Sequence, residues 1–184
     1  MMENITGRQR LLAALNHQEA DRFPIDLGGT PCTSITLEAY DNLRQVLGLE
    51  SKPYAFEDLG GGAAFAAVKP HPDIYTLIKC DVEMVGLKDP DSWHLEIEYG
   101  EDYDTYDDEW GCKLYHPKGG HYFDYRGPAI QSATLDDLEK WTSRPNPLDP
   151  GRWRGYRAAC QAVRDSGRAL ASWAHVGGGL FEQP

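Results

Sequence analysis

The sequence predicts an α/β fold: a partial (β/α)8 TIM barrel, its amino-terminal half, with a β-hairpin region inserted. Three observations predict it. Short apolar runs alternate with stretches of helical spacing, the pattern of βαβ units and a parallel sheet. Each candidate strand runs into glycine or an irregular loop holding polar residues, where barrel enzymes keep their chemistry. The chain has 184 residues, against the ~250 of a closed barrel. One domain over 1–184 is therefore expected, the first portion of a single barrel.

The elements follow in order. Thr6-Gly7-Arg8-Gln9 has the form of a capping box, in which hydroxyl and amide side chains satisfy the orphan amides of a helix start. Leu11, Leu12 and Leu15 continue at helical spacing, which predicts a helix over 7–17. Phe23-Pro24-Ile25-Asp26-Leu27 reads as a short strand ended by Gly28-Gly29. A second helix is expected over 36–47, with Gly48 as its stop. Residues 52–70 are Gly- and Ala-rich and read as loop with at most one short element. Pro72 opens a helix through Leu77-Ile78, and residues 81–86 form the second candidate strand. Trp93, Leu95, Ile97 and Tyr99 alternate on one side, and residues 110–130 read as a twisted hairpin around Lys118-Gly119-Gly120. Helices are expected from Thr134 to Trp141 and beyond Asp149-Pro150, the latter ended by Gly167. Residues 168–176 form a third strand running into Gly177-Gly178-Gly179. A helix is due where the chain reads Leu180-Phe181-Glu182-Gln183-Pro184, so truncation before barrel closure is expected.

Composition narrows the function. Hydrophobic residues make up 41% and charged residues 26%, with five Trp and ten Tyr, which suits a packed core. The net charge of −11 repels a phosphate backbone, so nucleic acid is not an expected partner. No apolar run approaches the ~20 residues of a membrane helix. Residues 1–10 are polar, without the apolar core of a signal peptide. Cys32, Cys80, Cys112 and Cys160 form no Cys-x-x-Cys pair. Reduced thiols and a cytoplasmic location are expected.

Asp26 is the first candidate for chemistry. It ends a strand, and bare amides at Gly28, Gly29 and Thr30 would approach an anionic or carbonyl ligand closely. The alternative is that Asp26 caps a turn. His175 is the second, at a strand end facing the triple glycine, with the choice open between acid, base, metal ligand, hydrogen-bond donor and a structural role. Gly178 belongs to that glycine run, and Glu182 is either a pocket carboxylate or a first-turn charge on a helix. The acidic stretch from Glu96 to Glu109 lacks the third ligand and glycine of a calcium loop and reads as a solvated hairpin face. His116, His121 and Cys112 fit no standard zinc spacing. Gly60-Gly61-Gly62 lacks the Lys-Ser/Thr of a phosphate-binding loop.

The stretch Arg8-Gln9-Arg10-Leu11-Leu12-Ala13-Ala14-Leu15 through Ala20-Asp21-Arg22-Phe23-Pro24-Ile25-Asp26 resembles the opening of the uroporphyrinogen decarboxylase superfamily. More narrowly it resembles the corrinoid-dependent methyltransferase branch. Asp107-Asp108-Glu109-Trp110-Gly111, the helix from Thr134 to Trp141, Asp149-Pro150-Gly151-Arg152 and Gly177 to Glu182 are similar to that branch too, in the same order. The resemblance implies a (β/α)8 barrel and an enzyme. The decarboxylases carry an Arg-Gln-Ala-Gly-Arg motif after the first strand to hold substrate carboxylates. Here Leu27-Gly28-Gly29-Thr30 stands in that place without an arginine. The expectation is methyl transfer between a small methyl donor or thiol and a corrinoid carried by a partner protein, with zinc as the implied metal and no ligand assignable in this chain. Asp26 and His175 are the expected catalytic residues, and Gly28, Gly29, Thr30, Gly178 and Glu182 the expected substrate-binding residues. The alternatives are a decarboxylase of another carboxylated substrate and a non-catalytic fragment that binds a partner chain. The 184-residue chain is expected to be inactive by itself.

Overall fold

The computed structural model describes residues 5–130, 134–142 and 145–171. In chain order these are α1 (Gly7–Leu15), β1 (Ile35–Thr36), α2 (Leu37–Val46), β2 (Ala67–Val68), α3 (Pro72–Leu77), β3 (Val82–Met84) and β4 (Glu98–Tyr99). There follow β5 (Tyr103–Asp107), β6 (Lys113–Pro117), β7 (Asp124–Tyr125), α4 (Leu135–Lys140), α5 (Pro150–Trp153), α6 (Tyr156–Asp165) and β8 (Ala169–Ala171). The fold is α/β, with helices around small sheets. Among the described residues the sheets are β1-β2, β3-β8 and β4-β5-β6-β7, and none closes into a barrel. Two compact units emerge, one built from residues 5–52, 67–87 and 153–171, the other from 53–66 and the described part of 88–152.

In the first unit α1 starts as its sequence demands. The Gln9 amide donates to Thr6 Oγ1 at 3.2 Å, and the Thr6 amide donates to Gln9 Oε1 at 2.9 Å. β3 and β8 pair in parallel, with Val82 opposite Ala169 and Met84 opposite Ala171. Cys160 and Val163 of α6 pack onto Val85 and Leu170 beside that pair. Segment 23–27 runs along β3 in the same sense. Arg22 reaches Lys79 and Asp81, the Asp81 amide donates to the Ile25 carbonyl at 2.8 Å, and Gly29 lies over Val82.

The expected strand over Phe23–Leu27 is a correction, because the segment forms no regular ladder. Pro24 has no amide to give, and the Leu27 amide donates to Cys80 Sγ at 3.3 Å in place of a carbonyl. The helix expected as one piece after Asp149-Pro150 is also corrected. Gly155, at φ 77°, breaks it into α5 and α6. Residues 56–65 form a 3₁₀ helix within the expected loop.

The second unit is the hairpin region. Its antiparallel sheet buries Tyr106 and Leu114 against Phe123 and Ala63, with Trp93, Leu95 and Ile97 packed around them. Tyr106 and Phe123 meet edge to face, 4.8 Å between centroids. Tyr99 departs from the expected alternation and stays 63% exposed. The acidic stretch is likewise only partly a solvated face, since Asp104 is buried. Period-two alternation puts it on the same side of β5 as Tyr106, where the Lys118 ammonium pairs with it. Burial would raise the Asp104 carboxyl, but the Lys118 and His116 contacts prevail and hold it low.

Candidate functional site

The loop that follows segment 23–27 is built from its own side chains. Asp26 Oδ1 accepts the Gly29 amide at 2.7 Å, the Gly28 amide donates to the Thr33 carbonyl at 3.0 Å, and the Thr30 amide donates to Thr33 Oγ1 at 2.9 Å. Asp26 is exposed, and Gly28 and Gly29 are buried. The amides expected to stand bare are therefore all occupied. A buried N–H needs a partner, and this short loop supplies its own. Asp26 takes the turn-capping role that was its alternative. Glycine is required at two of these positions. Gly28 has φ 84°, and a Cβ on Gly29 would stand 2.7 Å from Val82 Cγ1.

Beneath this loop lies Tyr75 of α3. It is 1% exposed, and its hydroxyl has no hydrogen-bond partner among the described residues. A Cβ on Gly28 would come within 3.3 Å of that hydroxyl. The Arg168 guanidinium sits 5.4 Å from the ring centroid. Burial pushes the Tyr75 hydroxyl far up, and the charge of Glu83 pushes the same way, so it remains a proton donor. Glu83 is flanked by two cations, Lys69 Nζ at 3.1 Å and Arg168 Nη1 at 3.5 Å. An unpaired buried hydroxyl costs about 1–3 kcal/mol. Tyr75→Phe is thus expected to stabilise the chain by about 1 kcal/mol, read as a higher melting temperature. A lower one would show that the hydroxyl is paired in solution.

The approach of segment 23–27 to β3 is fixed by a knot of charges. Arg10 Nε and Nη2 clasp Asp21 at 2.6 and 2.7 Å, and Arg10 Nη1 donates to Asp81. Arg22 clasps the same Asp81 at 2.6 and 3.0 Å, and Asp81 Oδ2 accepts the Ile25 amide at 2.8 Å. A cavity of about 300 Å³ opens beside this knot, at the amino ends of segment 23–27, β3 and β8.

The motifs of the second unit serve its turns. Asp108 Oδ1 accepts the amides of Trp110 and Cys112 at 2.9 and 2.8 Å, and Gly111 turns the chain at φ 78°. Glu109 pairs with Arg152. Asp149 Oδ1 accepts the amides of Gly151 and Asp91 at 2.8 and 2.9 Å, the cap expected of Asp149-Pro150. Trp110 stacks on Trp141 with centroids 5.8 Å apart. Burial, then Asp108, pushes the Tyr125 hydroxyl up to about 12. His116 Nε2 lies 3.0 Å from the Gly120 carbonyl, a contact within the hairpin.

His175, Gly178 and Glu182 lie outside the described residues. Among those that are described, no three of His, Cys, Asp and Glu gather to hold a metal ion. No helix there is long and apolar enough to cross a membrane. Tyr75, Glu83, Lys69 and Arg168 escape the sequence reading, because nothing local joins positions so far apart. The burial of Ile74 and Tyr75 as one step of a short helix is the nearest signal.

Fold and site together define an α/β protein with a parallel strand pair and a tightly self-bonded polar loop beside it. Comparison with protein-family models, with curated proteins and with solved structures finds no match.

Proposed function

We propose that the chain forms the amino-terminal half of a (β/α)8-barrel enzyme similar to the uroporphyrinogen decarboxylase superfamily, on its corrinoid-linked methyltransferase side. The observation that carries this reading is the charge knot. Arg10, Asp21 and Arg22 all belong to the stretch that bears the resemblance, and all three serve to dock α1 and segment 23–27 onto the start of β3. That arrangement suits a wound βαβ unit, whose chemistry belongs at the strands' carboxyl ends. The Asp26 loop stands on that side, and the Tyr75 hydroxyl reaches it from beneath. Asp26, which is exposed, and Thr30, which is half-buried, are the proposed substrate-facing residues of the described chain, Gly28 and Gly29 form the buried turn that carries them, and Tyr75 is the hydroxyl beneath.

Methyl transfer is favoured over decarboxylation by the same loop. A polycarboxylate substrate calls for free guanidinium groups, and Leu27-Gly28-Gly29-Thr30 offers none. Lys69 pairs with Glu83 at 3.1 Å, and Arg168 lines the cavity at the amino ends of the strands. The proposed partner is a corrinoid protein, with a small methylated compound or thiol as the other substrate. The test is an assay of cob(I)alamin methylation by methylated amines, thioethers and aryl methyl ethers. It is run with the 184-residue chain and with any longer product of its gene. Methylcobalamin formation above the protein-free rate is expected of the gene product. Release of carbon dioxide from carboxylated substrates with no methyl transfer overturns the assignment.

A further inference from the structure

The cavity at the amino ends of the strands stands apart from the Asp26 loop, and what its lining implies is independent of the methyl-transfer reading. Its wall carries Arg22, Lys79 and Arg168 against a single carboxylate, Asp81. That carboxylate is committed, with a side chain 3% exposed and guanidinium groups from both Arg10 and Arg22 upon it. The local balance is thus positive in a chain of net charge −11. Arg22 is spent on Asp81 and on the carbonyls of Phe23 and Lys79, both at 2.9 Å. Arg168 gives Glu83 one contact at 3.5 Å and otherwise lies over Tyr75. Lys79 is exposed, and its ammonium has no partner among the described residues.

The backbone of Lys79 is held at φ 54°, a conformation that suits glycine or asparagine far better than lysine. Its carbonyl is gripped by Arg22 and its amide donates to the Thr76 carbonyl at 3.3 Å. A lysine side chain is therefore presented at the cavity from a turn that a smaller residue would make more easily. Gly7, the first residue of the nine-residue α1, lines the same wall and adds the positive end of a helix dipole.

We propose that this cavity binds a compact oxyanion group, a phosphate or a carboxylate, with Lys79 and Arg168 as its charge partners. Asp81 holds Arg22 and the strand starts in place and takes no part in binding. A volume of about 300 Å³ suits the head group of a small molecule.

The test is thermal unfolding and titration calorimetry of the 184-residue chain with sodium phosphate and with sodium succinate, each against sodium chloride at equal ionic strength. A saturating rise in melting temperature beyond the chloride control is expected for at least one of them. A response to phosphate alone assigns a phosphate ligand, and a response to succinate alone a carboxylate. Lys79→Gly is expected to weaken the response by about tenfold or more, the loss of one charged hydrogen bond. The same variant should keep or raise the anion-free melting temperature, because glycine adopts the turn without strain. Loss of binding is then separable from loss of fold. Lys79→Arg restores the charge and should restore binding. The proposal is overturned if neither anion acts beyond chloride, or if Lys79→Gly binds as the wild type does.

Discussion

Arg10→Met is expected to destabilise the chain by about 3 kcal/mol, measured by urea unfolding at neutral pH. Its side chain is 7% exposed, and that of Asp81 is 3% exposed. Removing the cation leaves a buried carboxylate with one guanidinium where it had two, and leaves Asp21 with none. Breaking a buried pair from one side typically costs about 3–5 kcal/mol. Arg22, still clasping Asp81 from a side chain 32% exposed, keeps the loss at the lower end. Arg10→Lys retains the charge but loses the fork that spans Asp21 and Asp81, so it should fall between. A loss below about 1 kcal/mol, the value of an exposed pair, would show that the knot is solvated.

Arg44→Met is the second large effect, about 3 kcal/mol, the lower end of the buried-pair range because Asp73 keeps 35% of its side chain exposed. Arg44 has 1% of its side chain exposed. It donates to Asp73 at 2.8 and 3.0 Å, to Tyr40 Oη at 3.2 Å and to the Glu50 carbonyl at 2.8 Å. Tyr40 in turn accepts the His71 amide at 3.0 Å, so the loss spreads from α2 to the start of α3. The same residue sets a pH dependence. The hydrogen bond from Arg44 holds the Asp73 carboxyl well below its ordinary value, and the one from Arg10 holds Asp21 down at about 2. Both groups have a folded pKa below the unfolded value of about 3.9. Their stabilisation is complete above that value and is lost as pH falls through the folded pKa. Wild-type stability should therefore drop between about pH 4 and pH 2, and Arg44→Met should flatten that slope by removing the share of Asp73. An unchanged slope would show that Asp73 is not held by Arg44.

The local features were legible in the sequence because their partners lie within a few residues. The Thr6–Gln9 box, the Thr134 cap over Asp137, the Asp149 cap and the Lys118-Gly119-Gly120 turn all appear where their residue types place them. The charge knot was not legible, since Asp81 stands 71 residues from Arg10 and no periodicity links them. Segment 23–27 has the composition of a strand, yet a thiol takes the place of one ladder acceptor. The stretch beyond Asp149-Pro150 reads as one helix, and the left-handed turn at Gly155 divides it. The position of the Asp26 loop was legible, but the fate of its amides was not, because that depends on Thr33 folding back onto it. Tyr75 and Arg168, brought together from α3 and the start of β8, left no trace in their own neighbourhoods.

The order of strands along the chain carries a kinetic consequence. β3 pairs with β8 in parallel, and the whole four-stranded antiparallel sheet lies between them in sequence. Neighbouring antiparallel strands close short loops, whereas a distant parallel pair must first overcome the entropy of a long one. The hairpins from β4 to β7 are therefore expected to form first and to shorten the span that separates β3 from β8. The register of Val82 against Ala169 is then expected to settle late in folding.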